Sequence, residues 1–169
     1  MPNNPLVLIV MGSDSDLPTL EGCFETLRKF HIPFHAEVCS AHRTPGRAAE
    51  LASGARAAGI KVVIAAAGAA AHLAGVFAAH TTLPVIGIPC PSVLNGLDSL
   101  LSTVQMPAGI PVATVAIGKA GATNAALLAA QIISVADDRV ARALADYKAD
   151  MAQKIAEKNA ALGEKLGNA

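Results

Sequence analysis

The chain has 169 residues, of which 53% are hydrophobic, and its 13 basic and 13 acidic side chains give a formal net charge of zero. This length and hydrophobic content suit one substantial core, which predicts a single domain spanning residues 1–169. The balanced charge excludes an overall electrostatic attraction to nucleic acid or to an acidic membrane surface, so any anion binding must be local.

The cysteines and the chain's apolar runs bear on its compartment. Cys23, Cys39 and Cys90 show no paired metal-ligand spacing, and we predict that all three are reduced and buried. Residues 1–5 lack the charged and apolar regions of a secretory signal, and no apolar run reaches the roughly 20 residues of a membrane-spanning helix. These features predict a cytoplasmic protein with no membrane partner.

Hydrophobic periodicity predicts strands that alternate with helices. The predicted strands are residues 6–11, 34–39, 61–66, 85–88 and 112–117. The predicted helices follow Asp16 and then occupy about 45–58, 72–81, 97–105, 118–133 and 137–166. Asp16 and Thr44 suit helix N-caps, and Gly59 suits a C-terminal cap. The alternation predicts a three-layer α/β sandwich, a flavodoxin-like fold with a five-stranded parallel sheet and a long C-terminal helix.

The last two predicted helices have surfaces that a small sheet cannot cover. Residues 118–133 are apolar on nearly every face, and a helix over 137–166 would run about 45 Å. One stripe of the last helix is apolar, with Val140, Leu144, Tyr147, Met151 and Ile155. We therefore predict that the core spans residues 6–135 and that residues 137–166 pack partly on a neighbouring subunit.

Polar clusters follow every predicted strand. They occupy residues 12–16, 40–43, 68–72, 92–95 and 119–124. Ligands of such sheets bind at the carboxyl ends of the strands, so these clusters predict one shared site. His42 stands out because an imidazole exchanges protons near neutrality, and Arg43 beside it suits an anionic substrate. The irregular segment 106–111, with two prolines and a glycine, is a predicted lid.

Several chemistries fit the sequence poorly. No phosphate-binding or dinucleotide-binding glycine motif follows the first strand, and a flavin site would require aromatic residues. A receiver domain would use Asp14, Asp16 and Lys119, but alanines stand where its phospho-accepting aspartate belongs. A hydrolase built on Ser13 or Ser40 with His42 and Asp16 stays open, although no nucleophile-elbow motif is present.

Five motifs in order give the chain a resemblance to a known family. They are Met-Gly-Ser-Asp-Ser-Asp at 11–16, Ser-Ala-His-Arg-Thr-Pro at 40–45, Ala-Ala-His-Leu at 70–73, residues 97–107 from Leu-Asp-Ser-Leu to Gln-Met-Pro, and Ile-Gly-Lys-Ala-Gly at 117–121. With these motifs the chain resembles the PurE family, and within it the class I N5-carboxyaminoimidazole ribonucleotide mutases of purine biosynthesis.

The resemblance implies an isomerase that converts N5-carboxyaminoimidazole ribonucleotide to 4-carboxy-5-aminoimidazole ribonucleotide. It implies no metal, nucleotide or organic cofactor, and a homo-octamer. It further implies that His42 is the general acid and base, and that the small-molecule ribonucleotide contacts Ser13, Asp16, Ser40, Ala41, Arg43, Gly68, His72 and Leu73. A class II carboxylase that uses carbon dioxide directly, and a non-catalytic phosphate-binding module, are the alternatives.

Overall fold

The computed structural model describes residues 4–167 and contains a five-stranded parallel sheet with the strand order β2-β1-β3-β4-β5. The strands are β1 Val7–Met11, β2 Phe34–Val38, β3 Val62–Ala67, β4 Val85–Pro89 and β5 Ala113–Thr114. The helices are α1 Leu17–Lys29, α2 Pro45–Gly54, α3 Leu73–His80, α4 Leu97–Val104, α5 Gly118–Ser134 and α6 Asp138–Leu166. A single 3-10 turn, Asp14–Asp16, precedes α1.

Helices cover both faces of the sheet, so the predicted three-layer α/β sandwich is confirmed. Alternate residues of β1 point into two hydrophobic clusters, Ile9 into the one formed with α1 and α5, and Leu8 into the one formed with α2 and α3. Every residue of β1 is buried, as its unbroken apolar run predicts. The three cysteines are free and buried, also as predicted.

Two elements are shorter than their sequence patterns predict. β5 pairs with β4 only at Ala113 and Thr114, although residues 112–117 have strand character. It is an edge strand with one neighbour, and Pro111 before it cannot donate a ladder hydrogen bond. α2 ends at Gly54 rather than at residue 58, and the following turns close at Gly59, whose φ is +88°.

The predicted cap roles of Asp16 and Thr44 are wrong. Asp16 makes no side-chain hydrogen bond to α1; its Oδ2 accepts from the backbone N–H of Ser13 instead, at 3.1 Å. Thr44 makes none to α2, because its Oγ1 accepts from the N–H of Ser40 at 3.0 Å and donates to the Ser40 carbonyl at 2.9 Å. Both side chains therefore stabilise the turns that precede their helices, whose backbone groups also need partners.

The long helix α6 is packed along its first half only. Val140 is buried and Tyr147 packs against the core, whereas Met151 is 43% exposed and Ile155 is 64% exposed. The apolar stripe thus continues beyond the part of the helix that the described chain covers. Across residues 4–167, no helix combines the length and the apolar character needed to cross a membrane.

Candidate active site

The carboxyl ends of four neighbouring strands enclose a cavity of about 500 Å³. The order in which successive strands are added to the sheet reverses between β1 and β3, which is where ligands bind in sheets of this kind. Its walls come from the segments that follow β1 to β4, and they are lined by Gly12, Ser13, Ser15, Asp16, Ser40, Ala41, His42, Arg43, Ala67, Gly68, Ala69, Ala70, Leu73, Pro91 and Ser92.

The segment after β1 contributes a hydroxyl and a carboxylate. Ser13 Oγ donates to Asp14 and accepts from the N–H of Ser15, and Asp16 is held by the Ser13 N–H. Partial burial raises the pKa of the Asp16 carboxyl, while the Ser13 N–H acts in the opposite direction. Burial raises the pKa of the neighbouring Cys90 thiol to about 12, and the nearby Asp16 charge adds to this. Cys90 is therefore a protonated thiol beside a carboxylate, not a nucleophile.

Arg43 joins the ends of β1 and β2. Its Nη2 donates to the carbonyl oxygen of Gly12 at 2.9 Å, and its Nε reaches Ser40 Oγ at 3.4 Å. Ser40 Oγ also accepts from the backbone N–H of Arg43 at 3.2 Å. These bonds occupy only part of the guanidinium, which has five N–H donors, so the others are available to an anion in the cavity.

An ion pair connects the strand and the helix on either side of this turn. Arg47, in α2, donates to both carboxylate oxygens of Glu37, in β2, at 2.8 and 3.0 Å. The hydrogen bonds from Arg47 lower the pKa of the Glu37 carboxyl. A bidentate pair of this kind restricts the relative orientation of its two side chains, and here it links the elements that bracket residues 39–44.

His42 lies in the turn, as predicted, and contacts a second histidine 30 residues later. His42 Nε2 lies 2.8 Å from His72 Nδ1, and the two rings are nearly perpendicular. In a hydrogen bond one nitrogen must accept, so the two rings cannot both be imidazolium in this arrangement. His72 directly precedes α3 and makes no side-chain cap bond there. The pair therefore carries at most one positive charge, and Nδ1 is the His42 nitrogen left for another partner.

A sequence model of one protein family, described as AIR carboxylase, matches residues 6–154. The chain belongs to the AIR carboxylase family. The N5-carboxyaminoimidazole ribonucleotide mutase of Bacillus subtilis is 55% identical over 154 residues, with 90% of this chain and 95% of that protein covered. The enzyme of the same name from Pyrococcus horikoshii is 53% identical over 161 residues, with 95% and 90% covered.

A solved structure supports the same AIR carboxylase assignment. The crystal structure of Treponema denticola PurE superimposes with a TM-score of 0.85 at 33% sequence identity, covering 94% of this chain and 98% of that one. At that identity and coverage, the similarity extends over nearly the whole chain. The predicted PurE-family membership and the predicted fold are both confirmed.

The AIR carboxylase fold brings the predicted site residues together. Eight of the nine line the cavity, and the ninth, His72, contacts His42. Their roles in binding stay predictions. The predicted cluster at residues 119–124 and the predicted lid at 106–111 do not contribute to the cavity lining. Within residues 4–167, no group of three or more His, Cys, Asp or Glu side chains is arranged to hold a metal ion.

Sequence reasoning missed two features of this AIR carboxylase site. One is the hydrogen bond between His42 and His72, which no local pattern signals. The other is a pair of polar residues of α4: Ser99 reaches the turn after β3, and Asp98 reaches Ser92 in the segment after β4. The only available signal was a run of hydroxyl-bearing and acidic residues inside a short, otherwise apolar helix.

Proposed function

We propose that this chain is an N5-carboxyaminoimidazole ribonucleotide mutase. The observation that carries the proposal is its identity of more than half to curated mutases over nearly its whole length. The cavity adds chemical support, because it combines a cation, hydroxyls and a histidine at one sheet edge. A phosphorylated sugar with an ionisable ring system needs this combination of groups.

The polar groups of the cavity suit the phosphate and the ribose of a ribonucleotide. Arg43 is the cation in the cavity lining, and its free donors fit the substrate phosphate. Asp16 and Ser13 lie after the neighbouring strand, where a carboxylate and a hydroxyl can bond ribose hydroxyls. With its phosphate and ribose bound in this way, the substrate directs its own imidazole ring towards His42 and the turn containing Gly68.

The proposed reaction moves one carboxylate from nitrogen to carbon without net loss of atoms. The bond from the exocyclic nitrogen to the carboxylate breaks, releasing carbon dioxide, and His42 donates a proton to that nitrogen. C4 of the ring then attacks the trapped carbon dioxide, and His42 removes the proton that C4 carries. One histidine serves both steps because it ends the cycle in the protonation state in which it began.

The structure counts against two alternatives from the sequence. A serine hydrolase needs its nucleophile hydrogen-bonded to a base, but Ser13 Oγ donates to Asp14 and Ser40 Oγ accepts from Arg43. Among the described residues, no hydrogen bond joins His42 to either serine. A receiver domain would place an aspartate at the end of β3, which here reads Ala65-Ala66-Ala67.

The mutase proposal predicts that purified protein interconverts the two carboxylated ribonucleotides with no added bicarbonate. Because the carboxylate is supplied by the substrate itself, labelled bicarbonate should not enter the product beyond the uncatalysed exchange. The measurement is a chromatographic assay of both ribonucleotides in buffer freed of carbon dioxide. Heat-denatured protein is the control for the spontaneous breakdown of the substrate.

The same assay separates the remaining alternatives. Turnover that starts from aminoimidazole ribonucleotide and requires bicarbonate would assign the chain to the class II carboxylases instead. Binding of the ribonucleotide without either turnover would indicate a phosphate-binding module. Either result would contradict the mutase proposal.

The proposal places the protein in the cytoplasm and includes a homo-octamer, which the family resemblance implies. Its support is the apolar surface that the described chain leaves uncovered. Leu101 of α4 is 48% exposed and shares a helix face with Leu97 and Val104, which are exposed as well. α6 adds a second exposed stripe in its C-terminal half. Exposed apolar stripes of this kind are typical of subunit contacts.

Light scattering at micromolar concentration is expected to give a mass of about eight chains of 17.1 kDa. The substitution Leu101→Glu should lower that mass, because a charge would be transferred from water into an apolar contact. A monomeric wild-type protein would contradict the octamer, and it would leave the mutase proposal to be decided by the activity assay.

A further inference from the structure

The turn after β3 has a conformation that its own sequence does not favour. Ala69 has a φ of +55°, in the left-handed region that residues other than glycine rarely adopt. Such a conformation persists where surrounding contacts determine it. The turn lines the cavity through Gly68, Ala69 and Ala70, so the contacts that hold it also shape the site.

A polar residue of α4 supplies such a contact. Ser99, which is 0% exposed, accepts a hydrogen bond from the backbone N–H of Ala69 at 2.9 Å. Ser102 Oγ lies 3.3 Å from the carbonyl oxygen of the same residue, but it donates its one proton to the Asp98 carbonyl of its own helix at 2.7 Å. The Ala69 carbonyl accepts instead from the N–H of Ala71 at 2.9 Å, so the contact that α4 makes with this residue is the bond from its N–H to the fully buried Ser99 hydroxyl.

Two further hydrogen bonds connect Ser99 to Ser92 and Ser92 to Asp98, and in both the proton is donated towards Asp98. Ser92 Oγ donates to the Asp98 carboxylate, which as an ionised group only accepts. Ser92 has a single hydroxyl proton, so in its 3.2 Å contact with Ser99 the donor must be Ser99. Ser99 has then donated its proton and has only lone pairs to offer the Ala69 N–H. The charge of Asp98 thus orients two hydroxyls and makes Ser99 an acceptor.

The turn held in this way has amide groups to offer a ligand. Within residues 4–167, the backbone N–H groups of Gly68 and Ala70 donate to no protein acceptor, although both residues line the cavity. Free backbone N–H groups held in a fixed geometry stabilise negative charge without reorganising. Ala69 lies between these two residues, and its N–H is held by Ser99. The positions of the Gly68 and Ala70 amides therefore depend on that hydrogen bond.

We infer that Asp98, Ser92 and Ser99 form a positioning chain that holds the Gly68–Ala70 amides for the migrating carboxylate. The inference rests on the proposed mutase function. In the reaction, these amides hold the carboxylate and then the carbon dioxide that it becomes, next to the ring carbon that must capture it. A displaced turn would allow carbon dioxide to escape, leaving aminoimidazole ribonucleotide as a side product.

The test is the variant Ser99→Ala, assayed for kcat, KM and the fraction of turnovers that end in aminoimidazole ribonucleotide. We expect kcat to fall about tenfold and that fraction to rise, while KM changes less than about twofold, because the phosphate and ribose contacts are untouched. Asp98→Asn retains an acceptor oxygen and should preserve more activity than Asp98→Ala.

Thr103→Val is the matched control, since it removes another buried hydroxyl from α4. The Thr103 hydroxyl donates its one proton to the carbonyl of Ser99 in its own helix at 2.7 Å, and the Ala71 carbonyl lies farther away, at 3.5 Å. This variant should lose stability while keeping the wild-type product ratio. Hydrogen exchange of a peptide covering residues 65–73 provides a readout independent of activity, and it should accelerate in Ser99→Ala but not in Thr103→Val.

The outcomes separate the two proposals. Wild-type protein without mutase activity contradicts the proposed function and, with it, the positioning role. An active wild type with a folded Ser99→Ala variant of unchanged kcat and product ratio contradicts the positioning role alone. An equal change of product ratio in Thr103→Val would also contradict it, because general loosening of α4 would then be the cause.

Discussion

The variant His42→Asn is expected to lower kcat for the mutase reaction by between about 10² and 10⁴-fold, the range associated with losing a general acid or base. Asparagine retains hydrogen-bonding groups but cannot gain and lose a proton near neutral pH. Both half-reactions of the proposed mechanism require that proton transfer, so the substitution should slow both of them. The measurement is steady-state interconversion of the two carboxylated ribonucleotides in both directions.

Binding and folding should survive this substitution. His42 is exposed and contributes one hydrogen bond, to His72, so the free energy of unfolding should change by less than about 1 kcal/mol. Ribonucleotide affinity should stay within a few-fold of wild type, since the proposed phosphate contact is made by Arg43 and not by His42. The matched control is His80→Asn, at the exposed end of α3, which should leave kcat unchanged. Full activity of His42→Asn would disprove the acid and base role.

The variant Gly121→Ala is expected to destabilise the fold by about 3 kcal/mol or more. Gly121 is buried in the first turn of α5, and a Cβ there would overlap the carbonyl oxygen of Ala116. The obstructing atom belongs to the backbone, so the overlap cannot be relieved by rotating a side chain. α5 also packs against α1 and the sheet, which prevents a compensating shift of the whole helix.

Gly54→Ala is the control for this effect, because it makes the same change in a helix with open space around it. A Cβ at Gly54 would meet nothing within 4 Å. Alanine favours helix over glycine by about 0.5–1 kcal/mol, so this variant should be slightly more stable than wild type. Thermal unfolding of the two variants beside wild type measures both effects. A Gly121→Ala protein as stable as wild type would contradict the overlap.

Local sequence patterns predicted most of the elements because each depends on residues close in the chain. The unbroken apolar run of β1 and the stripe containing Leu20, Phe24 and Leu27 both lie in the core, as their periodicities require. Parallel strands bring their carboxyl ends to one edge, so the polar residues after β1 and β2 were predicted to meet, and they do. The length of β5 was not predictable, because it depends on having one neighbour instead of two.

The layered α/β fold and the edge at which polar groups gather can be predicted from the residues alone, since periodicity and chain direction are local properties. Which of these groups form hydrogen bonds with each other depends on the packing of the helices. His42 and His72 are 30 residues apart, as are Ala69 and Ser99, and each contact depends on how α3 and α4 pack against the sheet. Helix packing depends on many weak contacts between residues that are distant in the chain, so it cannot be predicted from a short motif. The sequence therefore located the site, and the packing of its helices determined the hydrogen bonds within it.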